Sequence, residues 1–285
     1  MPPLIVWINA IELGSIWVMV ASGLVLVFSI MGLLNFAHGQ FYMLGAFILY
    51  WVYAANGMNY FVGVAAAAVT MAIIGVVVER YLMRPVAKKG VMNAAILTLA
   101  LIFVFEGLAT IIFGKAQKVV PSAFPGILRA GNMNISYEKL VIIGVAVVVM
   151  VGLYFIILRT KFGIAIRAAA QDPGAASLFG VNPGRLASII MAMGCGLAAI
   201  AGSLMASVYY VDAWIGGTPL LMSILAIVIG GLGSLSGSVI GGLLLGVIAS
   251  LVAYYIGPWS ELVAFGLVII ILLFRPLGLF GVASA

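Results

Sequence analysis

Nine apolar runs, separated by short polar breaks, leave this chain almost no freedom in its choice of solvent. They extend near Val6 to Leu34, Phe41 to Ala55, Phe61 to Val78, Asn93 to Phe113, Leu140 to Leu158, Leu186 to Tyr209, Leu220 to Gly231, Val239 to Tyr255 and Leu262 to Phe274. Only 7% of residues are charged and 66% are hydrophobic, against roughly a quarter charged in a soluble domain, so lipid surrounds most of the chain. One crossing takes about 20 mostly apolar residues; eight or nine spans fit, and a large water-soluble domain does not. Backbone polar groups in hydrocarbon need internal partners, which leaves helices or a closed barrel, and these runs are far longer than barrel strands. The expected fold class is an all-α polytopic bundle forming a single transmembrane domain over residues 1–285. The first run is long, and the second and seventh are short for a crossing, which suits half-helices or tilted helices.

Orientation follows from the cations. Arg80, Arg84, Lys88 and Lys89 form one group, Arg159, Lys161, Arg167 and Arg185 a second, and Arg275 closes the last run, so nine of the 13 Lys and Arg residues lie in three segments. With nine spans these segments share one face, the cytoplasmic one, which puts the N-terminus outside and the C-terminus inside. Lys115, Lys118, Arg129 and Lys139 lie in or beside the connection from Gly114 to Glu138, the main extracytoplasmic feature.

Several function classes drop out. The net charge of +6 comes without a basic cluster interleaved with aromatics, so no nucleic-acid partner is expected. The single cysteine, Cys195, excludes an intramolecular disulfide and a cysteine metal cluster and suits a packing role. The first run carries Glu12, lacks a basic leader and is followed by further spans, so no cleaved signal peptide is expected. No GxxxxGK[ST] motif, nucleophile–base set or metal-ligand set is present; the chain itself binds no cofactor and is no enzyme. A transporter component and a self-sufficient carrier or channel both remain open on composition.

The most informative stretch is RTKFGIAIRAAAQDPGAASLFGVNPGR, Arg159 to Arg185, too polar to span and regularly punctuated. Asp172 before Pro173 suits an N-cap with proline at the first helical position, and Asn182 before Pro183 repeats the device. Gly180 suits the end of the stub between them. The spacing predicts a helix over Gly163 to Gln171, a stub over Pro173 to Phe179, then a membrane helix. Arg167 and Asp172 are candidates for an exposed ion pair worth under about 1 kcal/mol.

This stretch is similar to the coupling loop of permeases in branched-chain amino acid ABC importers. The resemblance continues at LLNFAHGQFYMLGAF (Leu33 to Phe47), ER with RPV (Glu79 to Val86), GGLGSLSGSVIGGLLLG (Gly230 to Gly246) and RPLGLFG (Arg275 to Gly281), in the family's order. It implies a subunit of a bacterial inner-membrane importer, surrounded by lipid and paired with a second, related permease. Two cytoplasmic ATPases carrying ATP and Mg, and an extracytoplasmic solute-binding protein, complete the assembly. Arg167, Ala168, Asp172, Pro173, Ala175, Ala176 and Leu178 would then meet an ATPase, and a bulky charge at Ala169 or Ala175 would block coupling. ATP binding would push the Gly163 to Phe179 element and open the path outward. Solutes in such families include leucine, isoleucine and valine, and also urea, short amides and aromatic acids. Met222 stands where amino-acid members commonly carry a lysine.

Candidates for the translocation path are Asn35, His38, Gln40, Glu106 and Met222. The first three form a polar cluster between apolar runs, either a helix break lining the path or a short cytoplasmic turn with Asn35 and His38 capping helix ends. Glu106 lies inside its run and must be protonated, paired or facing water; Glu12, Glu79, Asp212 and Glu261 are expected near the interfaces. Gly233, Gly237 and Gly241 recur at helical spacing beside a row of Ser234, Ser238, Gly242 and Gly246, and Gly194, Ala198, Gly202 and Ala206 form a third row. Such rows suit close helix packing, within the subunit or against a second one. The Gly-rich segments Gly32 to Gly45 and Gly230 to Gly246 suggest an internal repeat.

Overall fold

The computed structural model describes residues 3–130, 133–257, 259–275 and 278–279. Each apolar run becomes a helix. In order these are α1 (Leu4–Met31), α2 (His38–Leu49) continuing as a π-helix (Tyr50–Ala55), and α3 (Tyr60–Val78), which continues through a π segment (Glu79–Met83) into α4 (Arg84–Ala87). There follow α5 (Val91–Phe113), α6 (Tyr137–Arg159), α7 (Lys161–Gln171), α8 (Pro173–Leu178), α9 (Pro183–Met205), α10 (Gly217–Gly230), α11 (Leu235–Ile256) and α12 (Ser260–Phe274). Six described helices are long and apolar enough to cross a membrane, α3 counted through α4; α2, α10 and α12 are shorter. A small antiparallel pair, β1 (Ile127–Ala130) and β2 (Met133–Ser136), departs from the all-α expectation. It lies in the connection before α6, where water can satisfy a sheet edge that lipid could not.

α1 and α9 form the centre and run antiparallel. Ile30 and Met31 at the end of α1 share a recess with Pro183 and Gly184 at the start of α9, and Leu13 and Trp17 share another with Met205 at its end. Both helices are buried over most of their length, whereas α5 and α6 bury little and turn apolar side chains such as Phe103, Ile111 and Val148 outward. The remaining inner helices pair symmetrically: α3 lies along α9 as α11 lies along α1, α2 against α9 as α10 against α1, and α5 flanks α2 as α12 flanks α10. Residues 4–78 and 183–256 are thus two inverted halves, each a long helix, a break, a shorter helix and a third long one. The repeat suggested by the sequence exists with different members: residues 32–45 hold the first break of one half and residues 230–246 the second break of the other.

Small residues set the spacing. A Cβ on Gly23 would lie 2.7 Å from the Gly194 carbonyl oxygen, and one on Gly194 would lie 2.8 Å from that of Gly23. Gly39 and Gly216 face each other in the same reciprocal way, Gly202 lies on the Tyr42 backbone, and Gly237 and Gly241 lie on Gly230 and Ala226 of α10. Gly242 and Gly246 abut Val18, Ala10 and Gly14 of α1, and Cys195 is buried against Gly75. The rows therefore pack helices within this subunit. Gly233 is the exception: it precedes α11, has φ +84, and serves the turn between α10 and α11.

Replacing Gly202 by Val should lower the unfolding free energy by about 1–3 kcal/mol, the range for overpacked cores. Gly144→Ala, at a site with no neighbour within 4 Å, should leave the detergent unfolding midpoint unchanged or raise it.

Candidate functional site

The polar element between α6 and α9 folds as helix, stub and helix, with the stub and α9 capped by the predicted Asp172 and Asn182 and α7 by Thr160, a cap not predicted from the sequence. The Thr160 hydroxyl accepts from the Gly163 N–H (3.1 Å), Asp172 Oδ1 from the Ala175 N–H (2.9 Å), and Asn182 Oδ1 from the Arg185 N–H (3.0 Å). Pro173 and Pro183 sit in the first turns, and Gly180 takes φ +85 after α8. α7 folds back on the end of α6, since Gly163 touches the Ile157 backbone and the Arg167 guanidinium donates to the Ile157 carbonyl. Arg167 and Asp172 therefore do not form the expected pair; each is committed to the backbone. Ile166, Ala169 and Ala176 face inward, Ala168 is half-buried, and Ala175 is exposed. A bulky charge at Ala169 would disturb the fold itself, so Ala175 is the informative position. At the tip, Leu178 and Phe179 are 86% and 89% exposed.

Beneath this element lies a recess of about 470 Å³, walled in part by Ala169, Pro173, Arg84 and Gly184. Arg84 grips Glu79 through two bonds, Nε to Oε1 at 2.8 Å and Nη2 to Oε2 at 2.7 Å. Arg84 Nη2 also donates to the Gly184 carbonyl (2.6 Å), and the Ser188 hydroxyl donates to Glu79 Oε2 (2.7 Å). The π segment explains why residues five apart can pair, since its wider turn brings i and i+5 together. Glu79 is 1% exposed, so it is a buried anchor between α3 and α9. Glu12 is likewise buried, with Lys139 Nζ at 2.8 Å from Oε2 and the same ammonium donating to Asn9 Oδ1 (2.7 Å). The side chain of Glu261 and residues 276, 277, 280 and 281 of the closing motif lie outside the described residues; Leu279 donates its N–H to the Ile229 carbonyl (2.7 Å), returning the chain to the end of α10.

Asn35, His38 and Gln40 are buried at the first break. Asn35 makes the turn: its Oδ1 accepts from the Ala37 N–H (3.1 Å) and its carbonyl from the His38 N–H (3.1 Å). His38 caps nothing. Its ring packs against Gly23, level with Gly194 at the middle of α9, with no hydrogen-bond partner among the described residues. The break therefore lies inside the bundle and not at its surface, enclosed by protein in this conformation. Gln40 Nε2 donates to Glu106 Oε1 (3.2 Å), so two of the path candidates are joined and Glu106 is paired. Met222 is fully buried on α10.

At the opposite end of the bundle, α1, α2, the connection 206–216, α10 and α11 enclose a cavity of about 510 Å³. Residues 117 and 118 cross beside it: Lys118 and Val211 exchange backbone bonds (2.8 and 2.9 Å), and Gln117 Nε2 donates to Asp212 Oδ2 (3.2 Å). Its aromatic walls include Trp17, Tyr42, Tyr209 and Trp214, residues of a kind common near span ends and so individually without a distinct signal in the sequence. The cluster YYVDAW, residues 209–214, is the signal that marks them.

Residues 6–272 match the family model for the branched-chain amino acid transport system permease component. The chain belongs to that family. It is 32% identical to the high-affinity branched-chain amino acid transport system permease protein BraD of Pseudomonas aeruginosa, over 96% of this chain and 94% of the relative. It is 31% identical to LivH of Escherichia coli, of the same description, again over 96% and 94%. It is 26% identical to a probable LivH of Methanocaldococcus jannaschii, over 96% and 91%. Its fold is shared with a chain of PsaBC from Streptococcus pneumoniae, solved in complex with a Fab, at TM-score 0.51 and 16% identity, covering 95% of this chain and 92% of that one. This permease is thus the membrane component of an ABC importer, and the ER and RPV motif it carries is the Glu79–Arg84 clamp.

Arg84→Met strands the Glu79 carboxylate and should cost about 3 kcal/mol, as for a buried pair losing one partner. Ser188→Ala should cost about 1 kcal/mol. Unfolding midpoints in detergent measure both, and equal effects would contradict the assigned anchor.

Proposed function

We propose that this permease carries branched-chain or closely related amino acids inward across a bacterial cytoplasmic membrane, powered by ATPases that bind at α7 and α8. The observation that carries the reading is the capped stub with Leu178 and Phe179 projecting from a polar element. Exposed large apolar side chains of that kind mark an interaction surface. The element is stiffened by three caps and seated over Arg84 and Gly184, so a push on α8 reaches α9 without being absorbed by a loose loop. Arg167, Asp172, Pro173 and Ala176 shape the element, while Ala175 and Leu178 present it.

In this reading α2, α10 and α12 are shortened crossings and the chain passes nine times, N-terminus outside and C-terminus inside. That assignment puts α7, α8 and the cations around Arg84 on the cytoplasmic side together. A second permease subunit completes the path, two ATPases supply ATP and Mg, and an extracytoplasmic binding protein delivers solute at the β1–β2 end. The chain itself performs no covalent chemistry.

In proteoliposomes containing the whole importer, Ala175→Arg should abolish ATP-driven leucine uptake while leaving insertion and unfolding midpoint unchanged. Normal uptake by that variant, or leucine transport by the permease reconstituted without ATPases, would sink the proposal.

A further inference from the structure

The cavity at the β1–β2 end has a charge pattern that the assembly alone does not explain. One wall is the exposed first turn of α10, where Gly216 provides no side-chain cap and the Thr218 N–H has no acceptor among the described residues. Such an end carries partial positive charge and favours a carboxylate. The Tyr42 hydroxyl belongs to a side chain only 3% exposed, lines the same cavity, and has no hydrogen-bond partner among the described residues. Also lining it is Asp212, whose oxygens accept from the Trp214 N–H (2.9 Å) and from Gln117. It has no cationic partner among the described residues: the Lys118 ammonium lies over the Tyr50 ring, 5.9 Å from its centre. The aromatic lining is Trp17, Tyr209 and Trp214. A volume of about 510 Å³ falls within the range of small-molecule sites.

A positive helix end, the Asp212 carboxylate and apolar aromatic walls complement an α-amino acid zwitterion with an apolar side chain. Resting on the reading above, we propose that this cavity is where the permease receives solute, with the carboxylate at the Thr218 N–H and the Tyr42 hydroxyl. The ammonium meets Asp212, and the side chain lies between Trp17 and Trp214. The strap at residues 117 and 118 ties Asp212 to the connection before β1.

The full-length permease in lipid nanodiscs, followed by tryptophan fluorescence, tests this with three probes: L-leucine, 4-methylpentanoate, which lacks the ammonium, and 3-methylbutylamine, which lacks the carboxylate. Leucine should give a saturable change, and each truncated probe should bind about tenfold more weakly, as expected for loss of one charge-assisted contact. Asp212→Asn keeps the acceptor for the Trp214 N–H; it should weaken leucine and leave 4-methylpentanoate unaffected. Tyr42→Phe should weaken leucine and 4-methylpentanoate and leave the amine unaffected. Unfolding midpoints confirm that both variants fold. Absence of any response, equal binding of all three probes, or a leucine response indifferent to both substitutions overturns the site. If the whole importer carrying both substitutions still takes up leucine normally with ATP, the site fails while the permease reading stands; loss of ATP dependence in the wild type would instead fail the reading.

Discussion

Gly23 of α1 and Gly194 of α9 each leave room for the other's carbonyl where a Cβ would sit, and the positions of α2 and α10 both follow from that crossing. In lipid no hydrophobic drive brings helices together, so dispersion between closely approaching backbones must do it. With α1 and α9 crossing this tightly, the shorter helix of each half is wedged alongside and its N-terminus is carried into the interior. There the two starts meet at Gly39 and Gly216, again with no space for a side chain. Broken helices at this depth are tolerated because protein covers them. Asn35 supplies the turn at one break; a chain of turns from Asp212 to Gly217 supplies the other.

The same crossing makes α9 the helix through which a displacement spreads. Its first turn is held by Arg84 and Ser188 to the end of α3, its middle by Gly23 to α1, and its last third by Gly202 to the α2 backbone. A stub seated at the foot of α9 therefore adjoins a helix that touches both halves of the repeat. Close packing without voids transmits such shifts as discrete repackings and not as gradual bending.

Much of this was legible in the sequence where local chemistry decides. The caps at Asp172 and Asn182 were written in two dipeptides, and the nine apolar runs located every long helix. What could not be read was partnership across the chain. Arg167 and Asp172 looked like a pair because they are close in sequence, yet each found a nearer backbone partner. The burial of Glu12 and Glu79 could not be read because their partners, Lys139 and the Arg84–Ser188 set, are defined only by folding. Gly233 shared the spacing of Gly237 and Gly241 but fell one turn before the helix began, and spacing alone carries no φ. Tyr42, Tyr209 and Trp214 come together only when α2 and the 206–216 connection meet, so their cavity had no local signature beyond a run of aromatics.

Three buried or half-buried carboxylates show how neighbouring helices are held. α5 and α6 turn mostly apolar faces outward and bury little against the core, so packing alone fixes their rotation weakly. Glu106 of α5 meets Gln40 of α2, and Lys139 of α6 meets Glu12 of α1; each joins one outer helix to one inner helix. Glu79 joins the end of α3 to α9. An ionised carboxylate at the centre of a membrane helix costs roughly 2.5–3.5 kcal/mol, and a polar partner on another helix offsets that cost only in one rotational setting. A substitution that made all three apolar would lower the insertion cost and, in the same step, release the rotation of α5 and α6. Their persistence in so apolar a chain follows from the register they impose more than from the energy they supply.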